Sequence, residues 1–127
     1  MSKSMKSVEC ITLFVDDLQL SKAFYQNVFD LVVVYEDDNS AVFNFENLSI
    51  NLLVSSAAHE LIEPATVADL ESGARFQFTI PVDDVDATCD ELAELGVALL
   101  NGPMDRPWGI RTASFTDPGG HIWEIAQ

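Results

Sequence analysis

One supersecondary unit occurs twice in this sequence, and that repeat constrains the fold more than any other feature. Residues 15–18 (VDDL) and 82–85 (VDDV) lie 67 positions apart (82 − 15) and open matching strand-to-helix junctions. Apolar residues alternate before each junction, in residues 10–15 and 75–82, as in a strand with one buried face. Apolar residues recur at helical spacing after each junction, so each half begins with a strand followed by a helix.

Three further strands follow each helix. The first helix is predicted from Asp17, a good N-cap, through Asp30. The second follows residues 83–84 and runs through Leu95, with Gly96 as its C-cap. The strands that follow are predicted at residues 31–35, 41–45 and 49–54 in the first half and at 97–100, 112–116 and 121–126 in the second. The order predicts an α+β fold of two β-α-β-β-β modules that form a cupped, incomplete eight-stranded barrel. A ferredoxin-like repeat is the rival, but its β-α-β halves lack the run of three strands.

The chain has the length of one domain, with modules at about residues 8–54 and 75–127. The connecting segment, residues 55–74, is long for a structureless loop, and either a short helix or a flap over the cavity fits its composition. The two cysteines, Cys10 and Cys89, read as free thiols, and no secretory signal or membrane-spanning apolar run is visible. These features predict a cytoplasmic protein.

The net charge of −15, from 6 basic and 21 acidic residues, excludes nucleic acid and anionic membranes as natural partners. The electrostatic field of such a negatively charged protein attracts a cationic small ligand. A surface adapted to solubility or to salt explains the same charge.

Two signatures resemble those of the glyoxalase/bleomycin-resistance/extradiol dioxygenase (vicinal oxygen chelate) superfamily. The first is VDDLxxSxxFY at residues 15–25, and the second is WGxR at 108–111 followed by FxDPGGH at 115–121 and by Glu124. The resemblance spans residues 10–126 and implies a homodimer with a cavity inside curved sheets. It also implies either a divalent metal (Zn, Ni, Mn or Fe) that holds two substrate oxygens, or a protein that has lost the metal and binds a ligand.

The resemblance places the four metal positions at Cys10, Asn51, Gln77 and Glu124, and Asn51 is the weakest of these assignments. Only Glu124 is a strong ligand for a hard divalent ion, so we expect no cofactor, with a single divalent metal as the alternative. The competing interpretations are a small buried apolar residue for Cys10, a hydrogen-bonding cavity residue for Gln77, and a partly solvated acid or base for Glu124. We expect His121 in an exposed turn.

A tryptophan beside a glycine offers a flat apolar face on which a planar ring can stack, so Trp108 is the strongest candidate for a ligand-binding residue. The WGxR string is similar to that of bleomycin-resistance proteins, and this similarity makes Arg111 a second candidate ligand-binding residue. The other predicted ligand residues are Thr12 and Phe14, on the strand face of Cys10, and Gln77 and Thr79, which share a face of the later strand. The competing interpretation is that Trp108 plugs the end of the barrel. Trp123 should point away from the cavity.

Two hypotheses follow. The first is a metal-free protein that binds or sequesters an aromatic or cationic small molecule. The second is a metal-dependent lyase, isomerase or dioxygenase of the glyoxalase type with atypical ligands, in which Glu124 would be the catalytic residue. The resemblance leaves open whether the chain is an enzyme.

Overall fold

The computed structural model describes residues 5–127, and in this range it contains eight strands, three α-helices and one short 3-10 turn. These elements form two compact units, the first ending at Val67 and the second comprising Ala68–Gln127. Each unit contains one β-α-β-β-β module with a four-stranded sheet, so the predicted α+β class and the predicted repeat are confirmed.

The first module has a sheet in the order β1-β4-β3-β2, in which β1 is parallel to β4 and the other pairs are antiparallel. Its elements are β1 (Cys10–Val15), α1 (Leu18–Val28), β2 (Val33–Glu36), β3 (Ser40–Asn44), β4 (Ser49–Val54) and α2 (Ser55–Ile62). The Asp17 side chain caps α1 as predicted, because its Oδ1 accepts a hydrogen bond of 3.0 Å from the Leu20 amide. The Tyr25 ring of α1 is fully buried, and its centroid lies 5.5 Å from that of Phe43 on β3. This contact fixes the helix against the sheet.

The second module repeats the arrangement, with the order β5-β8-β7-β6 and a parallel β5–β8 pair. After the 3-10 turn at Leu70–Ser72 its elements are β5 (Gln77–Pro81), α3 (Val85–Glu94), β6 (Leu99–Asp105), β7 (Arg111–Thr116) and β8 (Ile122–Ala126). Asp84 caps α3 through its Oδ1, which accepts from the Ala87 amide at 3.1 Å. Gly96 follows the helix with a φ of +80°, a conformation that favours glycine.

Strand β6 is longer than the prediction of residues 97–100, because it continues past Gly102 to Asp105. Its pairing with β7 shifts register on both sides of Asn101. Gly102 has a φ of +87°, and a Cβ atom there would lie 2.5 Å from the Thr112 carbonyl oxygen. A glycine at this position therefore lets β6 stay paired through a close approach that sequence periodicity does not reveal.

The connecting segment contains the short helix that was one of its two predicted forms, since α2 starts at Ser55 directly after β4. No helix in residues 5–127 is long and apolar enough to cross a membrane.

Candidate functional site

Each sheet has one face packed against its helix and one distal face, which we define as the face turned away from α1 in the first module and from α3 in the second. Phe43 contacts Tyr25 of α1, and it pairs with Ile50, which in turn pairs with Ile11 on β1. These residues mark the helix-facing side. Because side chains alternate along a strand, Thr12 and its neighbours at even positions of β1 lie on the distal face.

The distal face of the first module carries a polar pair on its two parallel strands. Thr12 and Asn51 are Cα partners, and the Asn51 amide nitrogen donates to the Thr12 hydroxyl at 3.5 Å, the long limit of a hydrogen bond. Among the described residues, Asn51 Oδ1 is shielded from solvent and accepts no hydrogen bond. A buried acceptor without a donor is costly, so this atom suits a ligand that brings an N–H or O–H group. The partly buried Phe14 lies on the same face, two residues after Thr12.

The second module carries the corresponding pair in the same register. Thr79 and Glu124 are Cα partners on β5 and β8, and the Thr79 hydroxyl donates to Glu124 Oε1 at 2.9 Å. Ser114 on β7 pairs with Glu124 from its other side. Thr12 and Thr79 are 67 positions apart, the same interval as the two VDD junctions. The register thus supports the predicted equivalence of Asn51 and Glu124.

The predicted metal positions also lie on the distal faces. Cys10 precedes Thr12 by two residues and is exposed, and Gln77 precedes Thr79 by two residues and is exposed as well. Taken as residue types, the four predicted positions are one thiol, two neutral amides and one carboxylate, which is Glu124. Across residues 5–127, no group of three or more His, Cys, Asp or Glu side chains could hold an ion. The donor set does not fit a divalent metal, which takes three strong ligands as a rule.

Arg111 lies on the side of the sheet that faces α3. Its guanidinium donates to Asp86 of α3 at 2.9 Å and to Asp105 of β6 at 3.0 Å. The hydrogen bond to Asp86, followed by the one to Asp105, raises the pKa of Arg111 above its usual value. The structure therefore does not bring this predicted ligand residue together with Thr79 and Glu124, since those side chains lie on the opposite face.

Arg106 occupies the distal face instead, a position that the sequence analysis missed. Its Nε donates to the Thr112 hydroxyl at 2.8 Å and its Nη2 to Asn101 Oδ1 at 3.2 Å. Thr112 precedes Ser114 by two residues, and Asn101 pairs with Ser114, so both anchors belong to the face that carries Glu124. The one feature of the sequence that points to Arg106 is its position two residues before the WGxR string. That position does not predict which face of the sheet the side chain occupies.

Trp108 lies in the turn between β6 and β7 and is 69% exposed. The Arg106 guanidinium carbon lies 6.0 Å from the centre of its ring, at the outer range of a cation–π contact. The turn is held by hydrogen bonds from the Arg106 amide to the Ile110 carbonyl and from the Gly109 amide to the Arg106 carbonyl. The indole thus presents an apolar surface next to the polar distal face.

The DPGGH segment forms a hydrogen-bond network around the buried Asp117 carboxylate. Asp117 accepts hydrogen bonds from the amides of Gly119 and His121, from the His121 ring, and from Trp123 Nε1 at 3.1 Å. The prediction that His121 is exposed is wrong, because its side chain is only 14% exposed and turns inward to reach Asp117. Trp123 is buried on the helix-facing side, as predicted from its alternation with Glu124.

Comparisons with known proteins agree with this architecture. Residues 7–125 match the sequence profile of the Glyoxalase/Bleomycin resistance protein/Dioxygenase superfamily. The chain is 30% identical over 123 residues to the metallothiol transferase FosB of Lysinibacillus sphaericus, covering 96% of this chain and 82% of that protein. It is 30% identical over 118 residues to a probable lactoylglutathione lyase of Vibrio cholerae, covering 91% and 86% respectively.

The fold is also that of solved structures. A glyoxalase/bleomycin resistance protein/dioxygenase from Nocardioides superposes with a TM-score of 0.87 at 21% identity, covering 98% of this chain and 85% of that one. The profile match and the two relatives extend over nearly the whole sequence and include both modules. This chain belongs to the glyoxalase/bleomycin resistance/dioxygenase superfamily.

Proposed function

We propose that this protein binds an aromatic, cationic small molecule without a metal ion. The observation that carries the proposal is the composition of the distal faces, where three of the four positions expected to hold metal ligands are a thiol and two amides. The fourth, Glu124, is a carboxylate held by the Thr79 hydroxyl and suited to a cationic group of a ligand. This donor chemistry supports ligand binding without a metal.

The aromatic part of the ligand is assigned to Trp108. An exposed indole that neighbours a polar sheet face can stack on a planar ring while polar groups at the sheet hold the substituents. Thr12, Phe14, Gln77 and Thr79 complete the proposed set of binding residues, and the net charge of −15 draws a cation towards the chain.

Fluorescence titration with proflavine, a planar cationic aromatic compound, tests this function. We expect quenching of the exposed Trp108 and a loss of affinity of at least ~10-fold in Trp108→Leu, the scale of a lost aromatic stacking anchor. Leu61→Ala is the matched control, because it also removes an exposed apolar side chain, 68% exposed, from the first module. The proposal fails if both variants bind proflavine as well as the wild type does.

A metal-dependent transferase, lyase or dioxygenase is the second candidate, and the two relatives favour it, since one is named a metallothiol transferase and the other a probable lactoylglutathione lyase. In this reading Glu124 would be the strongest ligand. Elemental analysis of protein purified without chelator separates the two candidates. Stoichiometric zinc, nickel, manganese or iron that disappears in Glu124→Ala would refute the metal-free proposal and leave the second candidate.

We further propose that the protein is a cytoplasmic homodimer, which is the assembly that the family resemblance implies. Light scattering during gel filtration should give the mass of two chains, and a mass of one chain would refute the dimer. Cell fractionation should place the protein with cytoplasmic markers.

A further inference from the structure

The distal face of the second module holds a cation whose charge no described acidic side chain neutralises. Lys22 pairs with Glu36 and Arg111 pairs with two aspartates, whereas Arg106 forms no ion pair within residues 5–127. Its two side-chain partners are the neutral oxygens of Thr112 and Asn101. In a chain with 21 acidic residues, this choice of partners leaves the positive charge available to a ligand.

The same contacts hold the guanidinium in a defined place. Thr112 is fully buried, and its hydroxyl accepts from Arg106 Nε, while Asn101 accepts from Nη2. These two bonds use one edge of the guanidinium and leave Nη1 without a hydrogen bond in the described structure. A fixed guanidinium edge is the geometry that binds a carboxylate with little loss of side-chain freedom.

Glu124 lies on the same face at a distance that one small ligand can span. Asn101 pairs with Ser114, and Ser114 pairs with Glu124, so two strand spacings put the Cα atoms of Asn101 and Glu124 about 10 Å apart. Trp108 stands beside Arg106 with most of its ring exposed. A positive group, an aromatic surface and a negative group are thus arranged along one module.

From this arrangement we propose that Arg106 binds a carboxylate of the ligand, so that the ligand is an amphoteric aromatic compound. Its ring stacks on Trp108, its carboxylate contacts Arg106, and its cationic group contacts Glu124. This inference rests on the proposed binding function and adds a negative group to the ligand, which the overall charge of the chain would not lead one to expect.

Two matched probes separate the ends of the site: naphthoate carries only the negative group, and naphthylmethylammonium carries only the positive one. We expect calorimetry to show that Arg106→Gln weakens naphthoate binding by at least ~10-fold, the effect of losing a charge-assisted hydrogen bond. Naphthylmethylammonium should bind Arg106→Gln at least as well as it binds the wild type. Glu124→Gln should show the reverse pattern, weakening the ammonium probe and sparing naphthoate.

Arg75→Gln is the matched control, because Arg75 is exposed in the same module and its loss changes the net charge by the same amount. We expect it to change naphthoate affinity by less than ~2-fold. If Arg106→Gln lowers the melting temperature, Arg106→Lys provides the second variant; it keeps a cation but loses the fork, so naphthoate affinity should fall between those of the wild type and Arg106→Gln.

Equal losses in the Arg106 and Arg75 variants would overturn the inference, as would a wild-type protein that does not bind naphthoate. If the ammonium probe still bound in a manner that depended on Glu124 and Trp108, the proposed binding function would stand while this inference failed. If neither probe bound the wild type, both would fail.

Discussion

The Thr79 hydroxyl donates a hydrogen bond of 2.9 Å to Glu124 Oε1 across the parallel strands β5 and β8. The first module has the same pair in the same register, but there it consists of Thr12 and Asn51 at 3.5 Å. The repeat has therefore kept the threonine and changed its partner from a carboxylate to an amide. This difference makes the two distal faces chemically unequal, because only the pair in the second module contains a carboxylate.

Replacing Glu124 by Gln should weaken the binding of a cationic aromatic ligand by at least ~10-fold, because a charge-assisted contact is lost. The fold should be unaffected, since the glutamine oxygen can still accept from Thr79. Calorimetric titration with naphthylmethylammonium measures the effect. Glu94→Gln, at the end of α3, removes the same charge at an exposed position and should leave the affinity nearly unchanged. Equal losses in the two variants would assign the effect to the overall charge.

Removing the Asp117 side chain should destabilise the second module strongly. Asp117→Ala leaves the Trp123 indole N–H, the His121 ring and two turn amides without their acceptor, and the residue is buried. We expect a loss of at least about 2 kcal/mol in the free energy of unfolding, measured by urea denaturation. Asp83→Ala, at an exposed position, should change it by less than about 0.5 kcal/mol. Coinciding unfolding curves for the two variants would contradict this assignment.

Gly102 and Gly73 provide a matched test of the close approach between β6 and β7. Both have positive φ angles, +87° and +85°, but only at Gly102 would a Cβ atom meet the Thr112 carbonyl oxygen, at 2.5 Å. Alanine at either site adds backbone strain, and Gly102→Ala adds a steric clash as well. We expect Gly102→Ala to lose at least about 1 kcal/mol more in the free energy of unfolding than Gly73→Ala. Similar losses would mean that β6 can move away from β7 at little cost.

The two cysteines should differ in reactivity. Burial, followed by the charges of Asp86 and Asp90, raises the pKa of the Cys89 thiol, so a smaller fraction of it is thiolate near pH 8. Cys10 is exposed. A short treatment of the folded protein with iodoacetamide should modify Cys10 first, as measured by peptide mass spectrometry, and denaturant should remove the difference. Faster modification of Cys89 in the folded protein would contradict the buried environment of its thiol.

The sequence predicted the fold well because its decisive signals are local. The VDD junctions place an aspartate N-cap at the start of α1 and of α3, and both caps are present at Asp17 and Asp84. The alternation of apolar residues assigned Thr12 and Thr79 to the distal faces. In the parallel register, Thr12 pairs with Asn51 and Thr79 pairs with Glu124.

The predictions that failed depend on contacts that local patterns do not contain. The inward turn of His121 depends on the buried Asp117 carboxylate, and the length of β6 depends on the close approach at Gly102. Arg111 was predicted from the WGxR string, and its contact with Asp86 of α3 is not contained in that string. Arg106 was missed because it lies in the turn after β6, where strand alternation does not assign a face. Two arginines five positions apart are not distinguished by their spacing alone.

The central claim is that this member of the superfamily binds its ligand without a metal, and titration with proflavine before and after treatment with a chelator tests it most directly. Metal content should be measured on the same samples. We predict substoichiometric metal and the same proflavine affinity in both titrations, with the affinity reduced in Trp108→Leu. Stoichiometric metal in the untreated protein, together with loss of binding after chelation, would contradict the claim.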